Sequence, residues 1–423
     1  MKNIIRRAYV LFVGTVIFIN LPSTVRAYTL QDKVDNCFVC HQENEMLPEG
    51  FSENDIHFTS GIGCVGCHGG SAIEEDEEIA MSSKFGFIGV PDKKDIPATC
   101  GKCHSDIEFM RQYRPRIATD QVSQYFESVH GKKLKQGDNK VADCTSCHSA
   151  HSILPVDDPR SSVYPLNLPE TCNHCHGNSD LMYTYKLKSN QYEEYSKSVH
   201  GVALLEHRDI SAPACNDCHG NHGATPPGIQ SISHVCGTCH VNNQQYFEKS
   251  NLSTIFSEAG FHGCEECHGY HSIPKPSDDM LGVGEKSVCI KCHDSGDVGY
   301  DAALSWGGKL NELRTIHEHA AEVLAEVVKK GMNDVDIDFA LKDVNQSLIQ
   351  LRTFVHTFDS KLIVEKADEG IVLANNALEL ADKEIEEYYN RRIGFGFATL
   401  AFVILAFGVY LKIRKSSNVK HES

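Results

Sequence analysis

The chain has 423 residues, 41% of them hydrophobic, and a formal net charge of −17. That acidity argues against nucleic acid as a partner and favours basic partner surfaces, or simply solubility. Length allows two or three domains, while eighteen cysteines beside the single Trp306 point to an interior not filled in the ordinary way.

Residues 1–27 read as a secretory signal peptide. Lys2, Arg6 and Arg7 precede an apolar run over 8–21, and Val25-Arg26-Ala27 offers small residues for cleavage. The run is short for a membrane span, so an uncleaved anchor is the weaker reading.

Residues 37–293 form an internal array. Cys-x-x-Cys-His recurs nine times, with first cysteines Cys37, Cys64, Cys100, Cys144, Cys172, Cys215, Cys236, Cys264 and Cys289. The second cysteines are Cys40, Cys67, Cys103, Cys147, Cys175, Cys218, Cys239, Cys267 and Cys292, so the pentads use all eighteen. This is the attachment signal for haem c: two thiols form thioethers to the haem vinyls, and the adjacent histidine ligates the iron. Structural zinc needs no histidine after every second cysteine, and a disulfide framework would be irregularly spaced. The expectation is nine covalently bound haem c, with His41, His68, His104, His148, His176, His219, His240, His268 and His293 as proximal ligands. Nine large apolar discs would supply much of the buried surface, leaving the polypeptide free to be irregular. Export agrees with this, because haem c is attached outside the bacterial cytoplasmic membrane.

The array has a two-haem repeat. Residues 124–131 (Gln-Tyr-Phe-Glu-Ser-Val-His-Gly) align with 195–201 (Tyr-Ser-Lys-Ser-Val-His-Gly), and a pentad follows each. A second histidine stands three residues past the proximal one at His151, His222 and His271, better placed for a neighbouring haem than for its own. Distal candidates are therefore His57, His130, His151, His200, His222 and His271, then His262 and His234, each two residues before a pentad. His207 or His174 would be a ninth, and Met46 or Met110 could also serve. In the last unit Asn251 stands where His130 and His200 stand, which leaves an open haem in play there. The distinction matters: two histidines saturate the iron for electron transfer, whereas an open position admits substrate. The pentad at Cys37 is a leading single haem, and the acidic run 74–78 a solvated loop.

Past Asp301 cysteine and proline vanish and apolar residues take helical spacing. Leu310, Leu313, His317, Ala320, Leu324 and Val327 mark a helix ending near Gly331. Ile337, Leu341, Val344, Leu348, Leu351, Val355, Phe358 and Leu362 predict one long helix, and the pattern resumes from Ile371 to Tyr388 with Gly370 as a kink or second turn. The result is a helical hairpin or three-helix bundle. His317 lies on the apolar stripe, His319 and His356 off it; all three read first as core or surface histidines, with contact of one of them to a haem or a quinone as the alternative. Residues 393–413 are apolar and long enough to span a bilayer. Lys412, Arg414, Lys415 and Lys420 then place the tail in the cytoplasm by the positive-inside rule. The fold class is mainly α with much irregular structure. Its order is a signal peptide (1–27), a nonahaem cytochrome c domain (28–300; one single haem plus four two-haem units), an amphipathic helical domain (301–390), a transmembrane helix (391–413) and a cytoplasmic tail (414–423).

The Ser-Val-His-Gly segments, paired pentads and trailing histidines resemble the multihaem c-type cytochromes with doubled Cys-x-x-Cys-His motifs of bacterial respiratory chains, over residues 37–293. The resemblance implies closely stacked, mostly bis-histidine haems passing electrons between a membrane donor and a periplasmic or outer acceptor through redox partner proteins. His130, His200, His151, His222 and His271 match the family's ligand positions; Asn251 departs from them. Two other classes stay open. Related proteins reduce nitrite or oxidise hydroxylamine at an open haem, though no pentad here carries the lysine of the pentahaem nitrite reductases. Quinol-oxidising tetrahaem cytochromes carry an N-terminal membrane helix beside their haems. Here the helix is C-terminal and set apart by the tail, so an integral membrane quinone-interacting subunit is the expected donor. The tail offers a docking or oligomerisation surface, or a passive stalk.

Overall fold

The structure is a computed structural model and describes residues 35–223 and 232–419. The expected signal peptide and Lys420 lie outside the described residues. All regular elements among the described residues are helices, most of them short, and no strand occurs. The chain divides into two units: residues up to Asp92 with His151–Ile153, and Lys93–Ala150 with Leu154 onwards.

In the first unit the side chain of Asp35 caps Asn36–Glu43, accepting from the backbone N–H groups of Cys37 and Phe38. Buried Asp55 caps Ile56–Thr59 through His57 N at 2.9 Å and Phe58 N at 3.2 Å, while its other oxygen accepts from Ile153 N at 3.1 Å. Ile56 N donates in turn to Ile153 O at 2.8 Å. One carboxylate thus joins the start of a helix to the segment that follows His151. Phe38, Phe51 and Phe58 pack beside it with ring centres 4.7–6.1 Å apart.

In the second unit the haem-motif region buries few apolar side chains, among them Leu134, Met182 and Leu204. The continuous core lies further on, in three helices: α1 (Val298–Lys330), α2 (Val335–Phe354) and α3 (Ser360–Val419). Leu310, Leu313, Ile337, Val344, Leu348 and Leu351 pack against Ile363 and the small stripe Ala367, Ala374, Ala377 and Ala381 of α3. The small stripe lets the helices approach closely. Gly331, at φ +69°, ends α1 in the left-handed conformation that glycine adopts without penalty.

The single helix expected through 337–362 is two helices. Chain direction changes at residues 355–359, where Phe358 sits at φ +50°, and Asp359 caps α3 through the N–H groups of Lys361 (3.0 Å) and Leu362 (3.1 Å). The apolar spacing runs on across this turn because Val355 still packs on the bundle and Phe358 packs on Trp306. Gly370 is neither kink nor turn. It lies inside α3, where a Cβ would meet Ser347 Oγ at 2.5 Å and Leu313 Cδ2 at 2.8 Å. Beyond the bundle α3 continues without a break, and its apolar stretch from Ile393 is exposed. By length and composition this helix can cross a membrane.

Candidate haem-binding sites

Most pentads form a short helical turn, which brings the first cysteine, the second and the histidine onto one face. The turn Cys144–His148 is held by buried Asp143, which accepts from Thr145 N (2.8 Å) and Ser146 N (3.1 Å) while Ser146 Oγ accepts from Asp143 N (3.1 Å). In Cys215–His219 the carboxylate of Asp217 accepts from Ala214 N at 2.7 Å.

No disulfide joins any of the eighteen cysteines, all of which are described. Cys144 and Cys100 lie close enough to perturb one another, as do Cys172 and Cys215, and Cys236 and Cys264. Cys147 feels Cys172 and Cys175, Cys218 feels Cys236 and Cys239, and Cys267 feels Cys289 and Cys292. Pentads from Cys100 onward therefore neighbour one another in chain order, and in the first unit Cys64 neighbours Cys37. Burial, with the charges of Asp35 and Cys37, pushes Cys64 up to about 12; burial foremost holds Cys147 and Cys218 at about 11. These thiols are protonated at neutral pH.

The histidines meet in pairs. Ring centres are 6.0 Å apart for His68 and His151, 6.2 Å for His176 and His130, and 6.2 Å for His148 and His222. They are 6.3 Å apart for His240 and His200, 5.9 Å for His219 and His271, and 6.2 Å for His268 and His356. Two metal–imidazole bonds of about 2 Å, plus about 1.2 Å from each ring nitrogen to its ring centre, give roughly 6.4 Å. The pairs thus fit one iron held between two imidazoles. Among the described residues no group of three or more His, Cys, Asp or Glu is arranged to hold a bare metal ion, so the donors are paired rather than clustered.

At eight of these imidazoles burial favours the neutral form, the form that can ligate a metal. It lowers His148 to about 4, with the neighbouring His222 and His104 adding to the effect, and lowers His130, His176, His200, His219, His222, His268 and His356 in the same direction. His130 and His219 keep accessible area although protein crowds them; the crowding is what costs the charge. Partners at Nδ1 orient three rings and leave Nε2 for a metal: Gly89 O for His68 (2.8 Å), Asp297 Oδ1 for His293 (3.1 Å) and Thr353 O for His356 (3.1 Å).

The pairing follows an order. His151, His222 and His271 each meet the proximal histidine two pentads back, and His130 and His200 each meet the one two pentads ahead. The backbone explains why both ends are fixed together: Val199 N donates to Ile273 O at 2.8 Å, as Ile56 N donates to Ile153 O, so the residue before a leading histidine is tied to the residue two past a trailing one. In the last unit the structure shifts the alignment by one residue. Ser128, Ser198 and Ser250 are equivalent helix caps, each with its hydroxyl 2.6 Å from the carbonyl three residues back. Leu252, rather than Asn251, therefore occupies the place of His130 and His200.

Other candidates lie as follows. His57 is half-buried in the first unit, its Nδ1 3.6 Å from Asp55. His234, His262, His174 and His207 are exposed; His262 N donates to Glu266 at 3.1 Å. Met46 is exposed and Met110 buried. Among the described residues neither His41 nor His293 is in ring contact with a second imidazole. His356, read from the sequence as a core or surface residue, is instead paired with His268. The available signal was a gap in the series: the pentad at Cys264 has no later trailing histidine two pentads on.

A family model for cytochrome c3 matches residues 56–177, and one for cytochrome c554 and c-prime matches residues 22–69. No curated protein and no solved structure matches the chain. The matched residues hold the pentads from Cys37 to Cys172, and such cytochromes carry covalently bound haem c. These matches, the cysteines unpaired by disulfides and the imidazoles facing one another at the spacing of a bis-ligated iron are consistent with a multihaem c-type cytochrome.

Proposed function

We propose that this is a nonahaem electron-transfer cytochrome, anchored by α3 with its haems on the periplasmic side, carrying electrons between a membrane quinone-linked donor and a periplasmic or outer acceptor. The observation that carries it is the set of paired imidazoles at 5.9–6.3 Å. When bound, haem c supplies a one-electron couple at iron. The chain's own residues do the rest. The pentad cysteines would hold the groups, paired histidines would leave those irons no place for substrate, and contacts between successive pentads within each unit would keep neighbouring groups close enough for electrons to pass. In this reading residues 28–300 form the haem domain, 301–390 the stalk, 391–413 the span and 414–423 the cytoplasmic tail.

The stalk argues for a separate quinone-interacting subunit. From Ser360 to Ile393 α3 runs 34 residues, about 50 Å of helix at 1.5 Å per residue. His356 lies at the far end of that length, so a haem there is remote from a quinol in the bilayer. Redox partner proteins meet the haem domain, and the bundle is a stalk or docking surface.

A second reading has one specific observation behind it. Leu252 stands where the other units place a histidine, and the proximal His293 leans on a carboxylate, Asp297. An oxidoreductase of the nitrite or hydroxylamine type would have its open haem at Cys289 and Cys292. Electron paramagnetic resonance of the oxidised holoprotein separates the two. A wholly low-spin spectrum that carbon monoxide leaves unchanged on reduction supports the wire; a high-spin signal from one haem in nine supports the enzyme. Haem analysis giving fewer than nine per chain defeats the nonahaem reading.

A further inference from the structure

We propose that His356, on the turn between α2 and α3, is the distal iron ligand at the pentad of Cys264, Cys267 and His268, so that the membrane-anchored bundle closes the last site of the trailing series. The inference rests on the bis-histidine reading above.

The geometry is that of the other pairs. His356 and His268 have ring centres 6.2 Å apart and planes 18° apart, within the range of the five pairs formed inside the haem-motif region. His356 Nδ1 is engaged with Thr353 O at 3.1 Å, which leaves Nε2 for the metal.

The series explains why a residue so far along the chain is used. Each trailing histidine serves the site two pentads back. The sites of His68, His148 and His219 are served by His151, His222 and His271. The next site, at His268, would need a trailing histidine two pentads further on, where the array has ended and the bundle has begun. His356 fills that place.

The turn is held rigidly enough for ligation. On one side Tyr246 packs on Phe354 at 5.4 Å and Phe247 on Phe358 at 6.2 Å. On the other, Trp306 packs on Phe358 at 6.2 Å and donates from Nε1 to Ser360 Oγ at 3.2 Å. Arg352 makes a two-pronged ion pair with Asp278, at 2.8 and 2.9 Å. Phe358 keeps a left-handed backbone that ordinary residues avoid, a conformation that persists where the surroundings over-determine it. The bundle therefore presents a preset ligand.

The test uses the full-length haem-loaded protein in detergent, as wild type and as His356→Ala, His356→Met and His319→Ala. Haem per chain is measured first. If wild type lacks covalent haem, the reading beneath this inference fails, whatever the variants do. With haem in place, His356→Ala should gain one high-spin haem and bind one more carbon monoxide per chain than wild type. His319→Ala should match wild type. His356→Met should remain low-spin with one midpoint potential raised, because methionine in place of an axial histidine favours reduced iron. Should His356→Ala fail to fold, His356→Met decides. Unchanged potentials in that variant, or an unchanged spin state in a folded His356→Ala, overturn the assignment while leaving the other pairs standing.

Discussion

Gly370 offers a sharp test of the packing that positions the haem end of the bundle. Replacing glycine by alanine inside a helix ordinarily stabilises by about 1 kcal/mol. At Gly370 the new methyl would lie 2.5 Å from Ser347 Oγ and 2.8 Å from Leu313 Cδ2, and Leu313 is fully buried. Ser347 can turn its hydroxyl away, but Leu313 has little room, and overpacking of this kind costs about 1–3 kcal/mol. The net expectation for Gly370→Ala is a loss of about 1 kcal/mol, near fivefold in the opening equilibrium. Gly308, exposed in α1 with nothing within 4 Å of its would-be Cβ, is the control and should gain about 1 kcal/mol on the same change. Amide hydrogen exchange across α1 to α3 in the full-length protein reads both. Equal or greater protection in Gly370→Ala would refute the claim that α1, α2 and α3 meet at this glycine.

Four further outcomes are expected. His271→Ala should open the site of His219 rather than that of His268, seen as one haem turning high-spin with its potential shifted, since His271 faces His219 at 5.9 Å. Angles between paired rings run from 13° at His148 and His222 to 54° at His130 and His176. The second site should therefore give the most anisotropic low-spin resonance, and His130→Ala should remove it. Hydrogen bonds from His57, Ile153 and Phe58 outweigh the opposing effect of burial and hold the Asp55 carboxyl below its ordinary range. Its contribution is thus full above the unfolded pKa and lost as pH falls through the folded one; proteolysis of residues 51–60 should accelerate on acidification, and in Asp55→Asn that step should vanish. Finally, if the site of His293 is open, Leu252→His should abolish its carbon monoxide binding; no change would place that ligand elsewhere.

Much here was legible in the chain because it is local. A pentad needs five consecutive residues, a trailing histidine needs three more, and the apolar periodicity of 337–351 needs only the pitch of a helix. Gly331 as a helix end followed from the same short-range chemistry. Which histidine meets which did not, because ring pairing is a matter of distance across the fold. His356 looked unremarkable on its helix, and only the docking of the 355–359 turn on Tyr246, Phe247 and Asp278 brings it to His268. The alignment that put Asn251 in the ligand position counted residues from a tyrosine; the helix cap at Ser250 counts from the hydrogen bond and puts Leu252 there. Gly370 read as a break because glycine is a poor helix former, yet tertiary packing used its missing side chain. Attachment motifs and repeats belong to the sequence; the pairing of histidines and the join between the haem-motif array and the helical bundle arise only once distant segments pack, since that alone sets the distances on which coordination depends.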